Sequence, residues 1–404
     1  MPGVKTLIPI AKPVLDQADA DAAARAILSG WVTQGPEVAA FEREFAAAVG
    51  APHACAVSSG TTALHAALLA VGVQPGDEVI TASHSFIATA NAIRYCGARP
   101  VFVDVHPDTY NMDPAIVDRA VGPKTRAILA VHQVGLPCDL DRMLEIARRR
   151  SVALVEDAAC AIGSDVRVGG EWARVGRPHG DAACFSFHPR KLVTTGDGGM
   201  VTTRSADIDA RVRALRHHGM SVSDLARHAS DRVTFETYPT LGFNFRMTDV
   251  QAAIGRVQLS RLPAMQARRR ALAARYGALL ASIPGLGLPF VPDDARPNWQ
   301  TYTVRLPEGR DQRTVMQAML DAGVATRRGV MCAHREAAYP RSSWSCGADR
   351  SCDARSGPCP HLRHSEAAQD RTIAIPLFDA MTDDDVDRVA RALETSLGVG
   401  GPER

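Results

Sequence analysis

The chain has 404 residues, 46% of them hydrophobic, and a formal net charge of only +2. That length and apolar content suffice for more than one hydrophobic core and point to two domains. The near-neutral balance excludes a nucleic-acid footprint, and no apolar run approaches the roughly 20 residues of a membrane span.

The opening Met1-Pro2-Gly3-Val4-Lys5 is not a secretion signal, and nine cysteines, an odd number in mostly apolar surroundings, read as reduced thiols rather than a disulfide framework. A cytoplasmic protein is expected. In chain order, short β-branched runs at 54–57, 78–81, 100–104, 127–132, 152–156, 182–187 and 200–203 predict seven strands. Segments of helical period fall between the earlier ones, at 62–71, 87–95 and 140–149. Strand alternating with helix gives a mostly parallel, covered sheet. The last two strands leave no room for a crossover helix, so one of them runs antiparallel.

An amphipathic stretch over 248–282 opens on a Thr248-Asp249 cap and stops at Pro284-Gly285, and Pro263 must kink or break it. Its Arg268-Arg269-Arg270 triplet reads as a solvated helix face. Beyond it, 299–306 reads as a strand, 313–322 as a helix and 383–397 as a final helix. The expected fold class is therefore α/β, a seven-stranded, mostly parallel sheet covered by helices in a large domain over 1–250. An interdomain helix and a smaller C-terminal α+β domain follow over 251–404.

Three turns carry the chemistry. The strand ending at Val57 runs through Ser58-Ser59-Gly60-Thr61-Thr62 into a helix, so free amides and the positive end of a helix dipole meet at Gly60 and Thr61, a setting that suits a phosphate. A plain capped strand-to-helix turn would look the same. Asp157 ends an apolar strand, where ligands of open α/β sheets gather, and can either keep a ring nitrogen protonated or simply cap the turn Asp157-Ala158-Ala159. Lys191 lies in Ser186-Phe187-His188-Pro189-Arg190-Lys191, ahead of the Gly-rich turn Thr195-Gly196-Asp197-Gly198-Gly199. A lysine amine can form a Schiff base with an aldehyde, and a partly desolvated pocket favours the neutral amine that attacks. Ser186 offers a hydroxyl for the same phosphate. Lysine and aspartate together read as a pyridoxal 5'-phosphate site.

With these motifs, and with Pro75-Gly76-Asp77-Glu78-Val79-Ile80 and Gly242-Phe243-Asn244-Phe245-Arg246-Met247-Thr248-Asp249 in order after and between them, the chain resembles the DegT/DnrJ/StrS family of sugar aminotransferases over nearly its whole length. The resemblance implies the pyridoxal phosphate-dependent transferase fold of type I, with the large domain binding the cofactor. It implies that Lys191 carries the cofactor as a Schiff base, Asp157 pairs with the pyridine nitrogen, Gly60, Thr61 and Ser186 bind the phosphate, and Phe86 stacks on the ring. Asn244 would reach the phosphate of the neighbouring subunit, which implies a homodimer with shared active sites.

Two features depart from the family pattern. Cys160 stands where the family usually places Gln or His near the phenolic oxygen of the cofactor, and a thiol is a weaker donor. The segment 332–364 holds Cys332, His334, Cys346, Cys352, Cys359, His361 and His364. It lacks any Cys-x-x-Cys pair, so a flexible insertion is expected ahead of a zinc or iron-sulfur centre, with a role in substrate recognition left open and no metal assigned.

The expected activity is ping-pong transfer of an amino group, from L-glutamate, to a keto sugar carried on a nucleotide. Candidate acceptor contacts are Trp31, Thr33, His132, Gln133, Arg327, Arg328 and His334. The alternatives are a sugar dehydratase of the same family, against which Lys191 argues, and a non-catalytic regulator that keeps the cofactor.

Overall fold

Apolar runs no longer than the seven residues of Thr125–Val131, most of them followed by a helix, can pair in parallel only through crossovers, and most of the sheet is built that way. The computed structural model describes residues 7–398 apart from 223–226, 228–230, 234 and 348–356. Its elements are α1 (Gln17–Leu28), α2 (Pro36–Val49), β1 (His53–Val57), α3 (Gly60–Ala70), β2 (Glu78–Ala82), α4 (Ile87–Tyr95), β3 (Arg99–Val103), α5 (Pro114–Ala120), β4 (Thr125–Val131), α6 (Leu140–Arg150) and β5 (Ala153–Asp157). There follow β6 (Asp165–Val168), β7 (Glu171–Arg174), β8 (Ala182–Ser186), β9 (Gly199–Thr203), α7 (Ala206–Arg216), α8 (Asp249–Ser260) and α9 (Leu262–Leu280). The remainder comprises β10 (Ala295–Arg296), β11 (Tyr302–Arg305), α10 (Gln312–Asp321), β12 (Arg327–Arg328), β13 (Ser345–Cys346), α11 (Arg363–Arg371), β14 (Thr372–Ile375) and α12 (Asp383–Ser396).

The main sheet has the order β1-β9-β8-β5-β4-β2-β3-β13. Only β9 runs against the rest, antiparallel to both β1 and β8, as the missing crossover requires. The strand count corrects the expectation of seven. The eighth, β13, comes from the Cys-rich tract and lies parallel to β3, pairing Ser345 with Val101 and Cys346 with Phe102. Two residues are too few to show a period, so this strand owes its existence to the edge it meets. Other strands of two to four residues also escaped the pattern, namely the separate sheet β10-β6-β7 and, in β11-β14-β12, β12 and β14.

Alternation along the strands sorts side chains onto two faces. Ala54, Ala56, Ala183 and Phe185 join Phe41 and Phe45 of α2 on one side, while Cys55, Val57 and Cys184 join Leu64 and Leu68 of α3 on the other. A third core gathers Leu272, Tyr276, Tyr302, Val304, Ile373, Val389 and Leu393 from α9 and the C-terminal elements. The long helical stretch does break where Pro263 requires, at Arg261 between α8 and α9. Arg269, in contrast, is no solvated residue. It is 3% exposed, paired with Asp379 at 3.0 Å, and it donates to the carbonyls of Trp299, Gln300 and Leu377. A triplet of arginines turns one member inward on a helix, and sequence alone does not say which.

One buried ion cluster joins helix to sheet. Glu42 of α2 accepts from the Ala56 amide of β1 at 2.9 Å, from Arg213 of α7 at 2.8 Å, and from Arg216. Burial pushes its carboxyl up, but the two guanidinium charges outweigh that and hold it below the ordinary 4.5. Its contribution is therefore present above pH 4.5 and lost as the pH falls through the lower folded value. Glu42→Gln is expected to cost about 3 kcal/mol in urea unfolding at pH 7, because it strands buried positive charge, and to flatten the acid limb of the stability curve.

Candidate active site

The carboxyl ends of β1, β8 and β5 supply the site, with the reversed β9 between the first two. Register sets Asp157 opposite Val131 and Cys184, and Ser186 and Val57 both opposite Gly199. The residues that follow Val57, Asp157 and Ser186 therefore emerge along one rim.

At the first turn, Ser59 caps α3 and closes a capping box with Thr62, the Thr62 amide donating to Ser59 Oγ at 3.1 Å and the Ser59 amide to Thr62 Oγ1 at 3.0 Å. A helix start exposes four amides, and this cap occupies those of residues 59 and 62. The unused pair belongs to Gly60 and Thr61. A Cβ on Gly60 would come within 2.7 Å of Ser186 Cβ and 3.1 Å of its hydroxyl, so glycine is what lets the helix start lie against Ser186. Two free amides, a helix dipole and one hydroxyl make an anion cradle.

At the second turn, Asp157 is 6% exposed. Thr89 Oγ1 donates to its Oδ2 at 2.7 Å and the Ala159 amide to its Oδ1 at 3.2 Å. Burial raises its carboxyl above the ordinary value; the Thr89 and Ala159 bonds and the Lys191 charge pull the other way without overcoming it. A buried acid in that condition gains from a cationic partner.

The third turn, from Phe187 to Gly198, is closed by the Phe187 amide on Gly198 O at 2.8 Å, the Thr195 amide on Phe187 O at 3.0 Å and the Lys191 amide on His188 O at 2.8 Å. It delivers Lys191 Nζ to 3.0 Å from Cys160 Sγ. Phe86 stands at the start of α4 with 69% of its surface open. So large an exposed aromatic ring is a surface available for stacking.

Asp157, Cys160 and Lys191 are thus brought together, with Gly60 and Thr61 after β1 and Ser186 at the end of β8 forming the candidate cradle. Asn244 stands apart. It is exposed, on the segment whose Phe245 carbonyl takes the Ser58 amide at 2.8 Å, and among the described residues its side chain makes no hydrogen bond to the cradle.

Of the candidate acceptor contacts, His132 is buried against Glu156 at 3.0 Å, Gln133 is buried and bonded to His84 at 3.2 Å, and His334 is clamped between Ser83 and Glu366. These three are occupied internally, whereas Arg327 and Arg328 are exposed on β12. Sequence reasoning missed Thr89, whose only signal is its place one helical turn after Phe86. It also missed Asn298, which donates to Cys160 O at 2.8 Å and Ile162 O at 2.7 Å and so fixes the second turn.

The Cys/His tract is dispersed. Cys332 Sγ bonds to Ser365 O at 3.1 Å, Cys346 and Cys359 approach to 3.5 Å between sulfurs, and the His364 amide donates to Asp104. Cys352 lies outside the described residues. Among the described residues no group of three or more His, Cys, Asp or Glu side chains is set to hold a metal ion, and no helix is long and apolar enough to cross a membrane.

The model of the DegT/DnrJ/EryC1/StrS aminotransferase family matches residues 13–394. The spore coat polysaccharide biosynthesis protein SpsC of Bacillus subtilis (strain 168) is 37% identical over 390 residues, which cover 96% of this chain and 96% of SpsC. Among solved structures, the aminotransferase TlmJ from Streptoalloteichus hindustanus is 34% identical with a TM-score of 0.85, covering 97% of this chain and 99% of TlmJ. DesV of S. venezuelae, crystallised in complex with a ketimine intermediate, is 33% identical with a TM-score of 0.84 and the same coverage, 97% and 99%.

Because Asp157 is buried with its carboxyl raised, it favours folding most below the ordinary 3.8 and loses that advantage as the pH rises through the folded value. Asp157→Asn is therefore expected to raise the thermal midpoint of the cofactor-free protein at pH 7. Any rise in midpoint that added pyridoxal phosphate gives the wild-type protein should be lost in this variant. A lower midpoint for the free variant would show that the carboxylate serves the fold instead.

Proposed function

The chain belongs to the DegT/DnrJ/EryC1/StrS aminotransferase family, and from that premise we propose that it is a pyridoxal 5'-phosphate enzyme that moves an amino group from L-glutamate to a keto sugar, most naturally one carried on a nucleotide. Support comes from the convergence of a lysine amine and a buried carboxylate beside an anion cradle. The residues fit the group. Gly60, Thr61 and Ser186 would take its phosphate, Phe86 would cover one ring face, and Asp157 would hold the ring nitrogen. When bound, the cofactor supplies an aldehyde for the amino group and an electron sink for the carbon that loses its proton.

The remaining work falls to side chains of this chain. Lys191 Nζ would give up its proton to attack and, once released, would carry a proton between the substrate carbon and the cofactor. Cys160 Sγ, 3.0 Å from Nζ, would limit where that amine can swing. Asp157 would keep the positive charge of the ring nitrogen in place while Thr89 fixes which way the carboxylate points. The exposed Arg327, and Arg328 if it leaves Glu336 at 3.5 Å, are cations that could meet an acidic donor or a sugar phosphate. We also propose a homodimer in which the exposed Asn244, unbonded to the cradle of its own chain, reaches the cradle of another copy.

The test is a half-reaction. L-Glutamate added to protein loaded with cofactor should release one equivalent of 2-oxoglutarate with loss of the visible absorbance, and a keto sugar should restore it. Lys191→Ala should abolish both and fail to acquire cofactor mass after borohydride reduction. Turnover undiminished in that variant would reject the role given to Lys191, and release of a dehydrated sugar without 2-oxoglutarate would favour the dehydratase reading.

A further inference from the structure

The turn that presents Phe86 is gripped from two directions. On the inner side Ser85 Oγ lies 2.7 Å from Thr89 Oγ1, and Thr89 in turn donates to Asp157 Oδ2 at 2.7 Å. A carboxylate only accepts, so the Thr89 proton is committed to it and Ser85 must donate to Thr89. On the outer side the grip comes from the C-terminal part of the chain. The Ala333 amide donates to Ser83 O at 2.9 Å, His84 and Cys332 form an antiparallel bridge, and the His334 amide donates to Ser83 Oγ at 3.2 Å.

The His334 ring completes this hold. Its Nδ1 is 2.6 Å from Ser83 Oγ and its Nε2 is 2.9 Å from Glu366 Oε1, an oxygen that also accepts the Cys359 amide at 2.8 Å. The His334 and Glu366 side chains are 5% and 8% exposed. Burial pushes His334 down despite the facing carboxylate, so the ring is neutral at physiological pH. Glu366 can only accept, which places the ring proton on Nε2 and leaves Nδ1 to accept from the Ser83 hydroxyl. The polarity matches that of a serine hydrolase triad, but Ser83 is fully buried, so no substrate can meet it. The arrangement holds geometry.

That geometry matters because Phe86 lacks other restraints. With 69% of its surface open and no side-chain cap at its helix start, its ring has few packing neighbours to set its plane, and the backbone of 83–86 must do so. We propose that His334 is a positioning residue for amino transfer, holding Ser83 so that Phe86 and Thr89 meet the cofactor in register with Asp157. The proposal rests on the pyridoxal phosphate reading of the site.

Two substitutions separate the two ends of the imidazole. His334→Asn keeps an acceptor near the Nδ1 position for Ser83 and gives up the Glu366 bond, while His334→Gln keeps a donor near the Nε2 position for Glu366 and gives up the Ser83 bond. His334→Gln and Ser83→Ala should each lower kcat of the glutamate half-reaction about tenfold, the scale of one misplaced contact, with KM within about twofold and a weakened visible circular dichroism of the bound cofactor. The double variant should be no worse than either single one, and His334→Asn should keep most of the rate and the dichroism. Wild-type kcat and dichroism in both His334→Gln and Ser83→Ala would overturn the proposal. So would parallel loss of rate and thermal midpoint in all three single variants, which would mark a purely structural role. Wild-type protein that takes up no cofactor would sink the pyridoxal phosphate reading first, and this proposal with it.

Discussion

A carboxylate kept from water at the end of a parallel strand is a costly thing to fold around, and Asp157 is such a group. Two hydrogen bonds orient it without relieving its preference for the proton. What relieves that preference is a positive charge placed against it, and a protonated pyridine ring is a flat cation of the right kind. Around this demand the site is consistent. The lysine amine stands within reach of the turn that follows Asp157, and the candidate anion cradle lies at the carboxyl ends of β1 and β8 in the same sheet.

Side chains from the C-terminal part reach two of the three candidate turns, and also the turn ahead of Phe86. Asn298 holds the carbonyl of Cys160, Gln300 donates to the carbonyl of Arg190 at 2.9 Å next to Lys191, and His334 holds Ser83 ahead of Phe86. None of these three is a candidate to touch the reacting atoms. Their common effect is to tie the seating of the C-terminal elements to the placement of lysine, thiol and aromatic ring.

Much of this was legible in the sequence, for definite physical reasons. Strands buried on both faces read as short continuous apolar runs, and seven of the eight in the main sheet are of that kind. The reversed strand β9 followed from the lack of room for a helix before it, and the break before Pro263 from the missing amide of proline. The candidate turn at Gly60 and Thr61 was legible as a helix start with free amides, whereas the close approach of Gly60 to Ser186 was not. Long-range pairing was not legible. Nothing local marks Thr89 as the partner of Asp157, turns Arg269 inward, or sets His334 against Ser83 rather than toward substrate. The β13 edge strand was hidden because its two residues gain their conformation from β3.

The central claim is that Asp157 faces a ring nitrogen and keeps it charged. Pyridoxal phosphate labelled with nitrogen-15 in the ring, bound to the intact protein, tests it by magnetic resonance. The account predicts a protonated ring nitrogen across the neutral pH range in the wild-type protein and a neutral one in Asp157→Ala. A neutral ring nitrogen in the wild-type protein, or one indifferent to loss of this carboxylate, would contradict it.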